Sequence, residues 1–150
     1  MIKLSEKIKI KIRFCPDCMG SKIRTYHEEE ELNRGRNKAW KRVMYWVPMI
    51  WCHDCKKHSA AFEWVKAKHD AVLVSMGGMT TQEMKDLRKG LGFKNAVEFA
   101  RYLGVGDSTV KRWESQSGYP STAHRMLLKL AASGVDLSAV KNCNRNQSGE

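Results

Sequence analysis

No stretch of this 150-residue chain approaches the ~18 consecutive apolar residues of a membrane span. The opening residues, MIKLSEKIKIKIRF, alternate charge with isoleucine. They lack both the continuous apolar block and the small-residue cleavage site of a secretion signal. No segment repeats another at a fixed period. No serine–histidine–aspartate set, no glycine-rich phosphate cradle and no metal site with a vacant position can be read from the residues. These absences argue against a membrane protein, a secreted protein and an enzyme. The expected location is the cytoplasm, where thiols stay reduced.

What is present is charge. Lys and Arg number 27 against 16 Asp and Glu, a net of +11. Residues 1–75 carry 16 basic against 9 acidic side chains, or +7, and residues 76–150 carry 11 against 7, or +4. Both halves are basic, so a polyanion is the natural partner.

The first half reads as strands. KIKIKIRF sets Ile8, Ile10, Ile12 and Phe14 on one face and basic residues on the other, a period of two. SKIRTY suggests a second strand. VMYWVPMIW suggests a third, which Pro48 should confine to an edge or a bulge. HEEEELNRGRNK between them reads as an exposed hairpin loop. Trp40, Trp46, Trp51 and Trp64 are expected to lie mostly in a small core. A helix with Phe62, Val65, His69, Val72 and Met76 at near-helical spacing should follow, and SMGG reads as a linker.

Cys15–Pro16–Asp17–Cys18 and Cys52–His53–Asp54–Cys55 share one spacing. Each C-x-x-C turn brings two thiolates to one point, and two such turns supply the tetrahedral sulfur set that zinc prefers. Structural zinc at Cys15, Cys18, Cys52 and Cys55, one per chain, is favoured over an iron–sulfur centre or a redox pair. His53 and His58 lie nearby, but four thiolates already close such a site. Cys143 stands alone and is read as an inert thiol.

The second half reads as helices. Thr80 and Glu83 form a capping box with Met79 and Met84 as a staple, and Met84, Leu87 and Leu91 make a stripe. Asn95 and Glu98 start another helix, with Phe99, Ala100 and Leu103 inward. Gly104–Gly106 is a tight turn. DSTVKRWE is a short third helix anchored by Val110 and Trp113, and STAHRMLLKLAA is a fourth, ending at Gly134. Helix, glycine turn and helix form a DNA-binding arrangement when the second helix carries polar reading groups. Here Ser108, Thr109, Lys111 and Arg112 are those groups.

MTTQEMKDLRKGLGFKNAVEFARYLGVGDSTVKRWESQSGYPS resembles the Xre/Cro-type helix-turn-helix. Joined to the upstream pair of C-x-x-C motifs, the chain from about residue 14 to 133 resembles the MqsA/YgiT-type antitoxins. That resemblance implies a dimeric transcriptional repressor, often encoded beside an mRNA-cleaving toxin that it binds and whose operon it represses. It also implies a buried brace between Arg88 and Glu114. There are departures. Met19 and Lys56 stand where the family often has the glycine of C-x-x-C-G. One extra residue, about Lys94, precedes the second helix, and Ala96 replaces a phosphate-contacting glutamine. The first thirteen residues exceed the usual pattern.

The expected fold is α+β: a β-rich zinc-binding domain over residues 1–75, an all-α Xre-type helix-turn-helix domain over 76–140, and a disordered tail over 141–150. The expected function is sequence-specific repression, with Arg112 reading guanine, Ser108 and Thr109 reading base edges and Lys111 meeting phosphate. The expected partners are palindromic duplex DNA, a second copy of the chain and a toxin ribonuclease. The rivals are a stand-alone regulator of mobile elements, a zinc-ribbon RNA-binding protein, and a redox or metal sensor.

Overall fold

The computed structural model describes residues 1–32 and 40–137. The architecture is α+β, and the chain divides into two compact units, Met1–Gly77 and Gly78–Glu150. The first unit holds β1 (Ile2–Lys3), β2 (Ile23–Glu31), β3 (Val43–Cys52), β4 (His58–Ala60) and α1 (Trp64–Ser75). The second holds α2 (Thr81–Gly90), α3 (Ala96–Leu103), α4 (Thr109–Glu114) and α5 (Thr122–Ala132). No helix among the described residues is long and apolar enough to cross a membrane.

In the first unit β3 is the axis. Its run of β-branched and aromatic residues pairs antiparallel with β2 from Ile23↔Cys52 to Glu31↔Met44. On its other side β1 pairs in parallel at Val43 and Met44, and β4 pairs antiparallel at Met49 to Trp51. Val43, Tyr45 and Val47 alternate onto one face and bury with Leu32 and with Ala67 and Ala71 of α1. The small side chains of Ala67 and Ala71 let the helix approach the sheet closely.

Several sequence expectations fail here. β3 is central rather than an edge, and Pro48 lies within it. The Pro48 carbonyl accepts from Ala61 N at 2.8 Å, so its backbone faces the side where β1 has ended and β4 has yet to pair. The proline's missing donor falls in that gap and costs no ladder bond. His27–Glu31 belong to β2 rather than to a loop. Among the described residues β2 pairs only with β3, and an acidic edge strand resists further pairing. Asn33–Lys38, the remainder of the expected loop, lie outside the described residues.

KIKIKIRF is not a strand. Leu4 N donates to the Met44 carbonyl at 2.9 Å, but KIKIKIRF bonds to side chains, with Lys11 N donating to Glu63 Oε1 at 2.9 Å and the His27 imidazole meeting the Ile8 carbonyl at 2.9 Å. Its alternation still operates, since Ile2, Leu4 and Ile8 pack on the core while the Lys7 ammonium lies 4.0 Å from the Trp46 ring centre. Phe14 is half exposed. None of the four tryptophans is fully buried; the core is aliphatic with Tyr45, and the indoles sit at its rim. Phe62 precedes α1 and is 84% exposed, and Val65 also faces outward. The helix buries His69 with Ala67, Ala71, Leu73 and Ser75, and Val72 packs against the core.

The second unit follows its capping signals. Thr80 and Glu83 form a reciprocal capping box on α2, Asn95 accepts from Glu98 N at 2.9 Å on α3, and Ser121 accepts from His124 N at 3.3 Å on α5. Met84, Phe99, Ala100, Leu103, Val110, Trp113, Leu128 and Ala131 are buried. Leu87 is only half-buried and Leu91 is exposed, because α2 ends at Gly90 and its inward position one turn from Met84 is taken by Arg88. The expected tail over 141–150, with Cys143, lies outside the described residues.

Candidate metal centre and nucleic-acid interface

The two C-x-x-C segments fold into matching knuckles. Cys15 N donates to the Gly20 carbonyl at 2.8 Å, and Cys52 N donates to the Lys57 carbonyl at 3.0 Å. Each turn closes by placing the residue after its second cysteine in the left-handed region, Met19 at φ 61° and Lys56 at φ 57°. The second knuckle is anchored to the start of β2, with His53 N donating to the Lys22 carbonyl at 2.9 Å.

The knuckles face each other. The sulfurs of Cys15, Cys18, Cys52 and Cys55 all lie within 4.8 Å of one another. Cys15 meets Cys55 at 3.7 Å and Cys18 meets Cys52 at 3.7 Å, too far for disulfides, which need about 2.05 Å. A tetrahedron with metal–sulfur bonds of about 2.3 Å has edges of about 3.8 Å, so the donor set fits a zinc-sized ion. Thiol electrostatics point the same way. The amide of Cys55, with that of Asp54, holds Cys52 down to about 7 against the effect of burial. Burial, followed by the three neighbouring thiols, pushes Cys55 up to about 12. The Gly20 amide draws Cys18 down, but burial and the Cys52 thiol outweigh it and Cys18 is raised. Four sulfurs this close cannot all ionise alone, and a dication removes that conflict. Four cysteines of this geometry could bind a metal ion such as zinc.

Two residues around the cluster have a sequence signal that went unread. Aspartate is the third residue of both C-x-D-C motifs. Asp17 accepts from Ser59 Oγ at 2.6 Å, tying the first knuckle to β4. Asp54 packs against the Cα of Gly20, where any Cβ would collide with its carboxylate. Of the two nearby histidines, neither belongs to the sulfur group; the His58 Nδ1 meets the Tyr26 hydroxyl at 2.5 Å instead.

In the second unit the site grows from α3 and α4. Gly104 caps α3 at φ 74°, the left-handed turn that glycine adopts without a Cβ penalty. α4 then starts after Ser108. Val110 and Trp113 point inward, while Ser108, Lys111 and Arg112 are exposed and Thr109 is half-buried. Arg112 lies beside Gly118 and Tyr119, at a cleft that Ser121 and His124 also line.

Arg88 Nε donates to Glu114 Oε1 at 2.7 Å and Nη2 donates to Oε2 at 3.2 Å, with both side chains about nine-tenths buried at 11% exposure. Arg88 Nη1 also donates to the carbonyls of Phe93 and Lys94 at 3.1 and 3.0 Å. One guanidinium therefore ties α2, the turn before α3 and the end of α4. Arg101 and Asp107 make a second fork across the α3–α4 turn, at 3.1 and 2.8 Å, but both are largely exposed. A pair of that kind contributes little.

Comparison with known proteins adds one finding. Over 81 residues the chain is 36% identical to YiaG of Escherichia coli (strain K12), an uncharacterized HTH-type transcriptional regulator, and to YiaG of two further E. coli strains. The aligned stretch is 53% of this chain and 83% of the relative. No protein-family model matches the chain, and no solved structure does.

Proposed function

The chain belongs to the family of HTH-type transcriptional regulators represented by YiaG, and on that premise we propose that it is a sequence-specific repressor of the Xre type. In this reading α4 enters the major groove. Arg112 forks onto the two acceptors of guanine, Ser108 and Thr109 meet base edges, and Lys111, a point charge, meets phosphate. The observation that carries it is the division of α4: Val110 and Trp113 are buried, and its basic and hydroxyl residues are exposed on a unit held by the Arg88–Glu114 pair.

Zinc held by Cys15, Cys18, Cys52 and Cys55 serves folding, and with four thiolates as ligands no position remains for a catalytic water. We assign the protein no catalysis. It acts as a homodimer on a palindromic operator. The exposed Met126 and Leu130, one turn apart on α5, supply apolar surface for that contact. The two-part architecture fits an MqsA/YgiT-type antitoxin that also binds an mRNA-cleaving toxin.

The test is affinity for the DNA upstream of its own gene and for random duplex, at several salt concentrations. Arg112→Ala should cost about 1–3 kcal/mol on the operator and much less on random DNA. Lys111→Ala should weaken both alike and reduce the salt slope by about one. Equal loss on both DNAs for Arg112→Ala would remove α4 as the reading element.

A further inference from the structure

β2, β3 and β4 place Arg24, Trp51 and His58 directly opposite one another, since Arg24↔Trp51 and Trp51↔His58 are registered pairs. Tyr26, two residues along β2, shares their face because side chains alternate along a strand. This is the same face on which Val43, Tyr45 and Val47 bury against α1. Past Met49 it carries rings instead. Trp51 and His58 approach to 4.3 Å between ring centres with planes tilted 43°. Tyr26 stands edge-on to His58 at 5.9 Å, and its hydroxyl is bonded to the His58 Nδ1, which fixes the imidazole. The four side chains line an open cavity of about 400 Å³. Trp51 and Tyr26 are half-buried and Arg24 and His58 are exposed.

Packing does not account for this arrangement. The unit's core cluster does not include these rings, and amphipathic aromatic side chains are enriched where a protein surface meets a partner. We propose that this platform binds an unpaired base of a single-stranded nucleic acid. Trp51 and His58 offer π-faces on which a base can stack, and Tyr26 holds the imidazole in place. Arg24 offers a guanidinium at the rim for the adjoining phosphate or a second base plane. Residues 1–75 carry a net +7, from 16 basic and 9 acidic side chains, which favours a polyanion over an apolar or acidic peptide as occupant. The site lies in the first unit, so it is separate from the duplex-reading helix of the second. A regulator built this way holds duplex with one unit and a strand with the other.

The experiment uses the full chain with fluorescein-labelled 12-mers of dT and rU and a labelled duplex carrying its operator, read by anisotropy. The variants are Trp51→Ala, Trp51→Phe, Arg24→Gln and Arg112→Ala, each checked for bound zinc and far-UV circular dichroism. Trp51→Ala should weaken single-strand binding about 5- to 150-fold, the worth of one stacked base. Trp51→Phe, which keeps a ring, should recover most of that loss. Arg24→Gln should weaken it and flatten its salt dependence. None of the three should change operator affinity. Tighter binding of rU than of dT assigns RNA as the natural strand, and the reverse assigns single-stranded DNA. The proposal is overturned if neither 12-mer binds or if zinc-loaded Trp51→Ala binds as wild type does. It is also overturned if Trp51→Phe is as weak as Trp51→Ala, or if Arg112→Ala alone abolishes strand binding. Because operator binding is read separately, failure of the platform leaves the repressor reading standing, and the converse also holds.

Discussion

At the scale of single residues, Met19 and Lys56 hold a backbone conformation that side chains resist, at φ 61° and 57°. A residue with a Cβ in this region costs roughly 1–2 kcal/mol, and glycine adopts it freely at some entropic expense in the unfolded chain. Met19→Gly and Lys56→Gly should therefore each stabilise the first unit by about 0.5–1 kcal/mol, read as a rise in the chelator or denaturant concentration needed to unfold it. Unchanged midpoints for both would show that the knuckle turns carry no strain. Arg88 is the opposite case, a residue whose loss exposes a conflict. Arg88→Ala strands the Glu114 carboxylate, which is only 11% exposed, and leaves the Phe93 and Lys94 carbonyls without that donor. The expected cost is about 3 kcal/mol in urea denaturation. Arg88→Met with Glu114→Leu should recover much of it, because removing both charges also removes the desolvation penalty.

At the scale of elements, what the sequence made legible was local. Thr80 with Glu83, Asn95 with Glu98, and Ser121 each announce a helix start, because a cap is a bond between residues two or three apart and needs no knowledge of the rest of the chain. The facing of Phe99, Leu103, Val110 and Trp113 could be read for the same reason. The failures were questions of tertiary position: which strand lies where in the sheet, and which face of α1 and α2 meets a neighbour. Period two in KIKIKIRF is a true amphipathic signal, yet whether such a segment becomes a strand depends on continued pairing with a neighbour, and here it bonds to the Glu63 and His27 side chains instead. Pro48 points to an edge or a bulge, because one residue cannot reveal that the pairing on one side of its strand has a gap. Size alone assigns the tryptophans to the core, and the half-buried rim positions they in fact occupy depend on the packing around them. The four-cysteine cluster was legible because its spacing encodes the site, whereas the ring platform was not, since Arg24, Trp51 and His58 become neighbours only through register.

The caps also separate folding from function. Asn95→Ala and Thr80→Ala should each destabilise the second unit by about 1 kcal/mol. Ser108 stands at the start of α4 without a side-chain cap bond. Ser108→Ala should therefore leave the thermal midpoint unchanged within about 0.5 kcal/mol. Any loss of operator affinity in that variant then reports a contact with DNA. A clear fall in stability for Ser108→Ala would instead make it a structural residue of the turn.

At the scale of the whole molecule, the two units are held by different means. The first has a modest core of Val43, Tyr45, Val47, Leu32 and two alanines, and its two knuckles meet at the sulfurs. Small domains of this kind depend on a metal for much of their stability, with apparent binding free energies of about 10–16 kcal/mol for structural zinc. The second has a helical core, three side-chain caps and the Arg88 fork, none of which involves the cysteines. A strong chelator should therefore unfold the first unit and spare the second. The tryptophans report this directly, because Trp40, Trp46, Trp51 and Trp64 lie in the first unit and Trp113 in the second, where it is 4% exposed. On chelation most of the emission should shift to the red as the rim indoles become wet, while a blue component from Trp113 and most of the helical circular dichroism persist. Restoring zinc should reverse the shift. Cys52→Ser should resemble the chelated protein without added chelator, since removing one of four ligands opens the site. Duplex affinity of the chelated chain should fall far less than strand affinity. If chelation instead collapses the helical signal and the Trp113 emission together, the units fold as one, and zinc supports α4 as well as the knuckles that bind it.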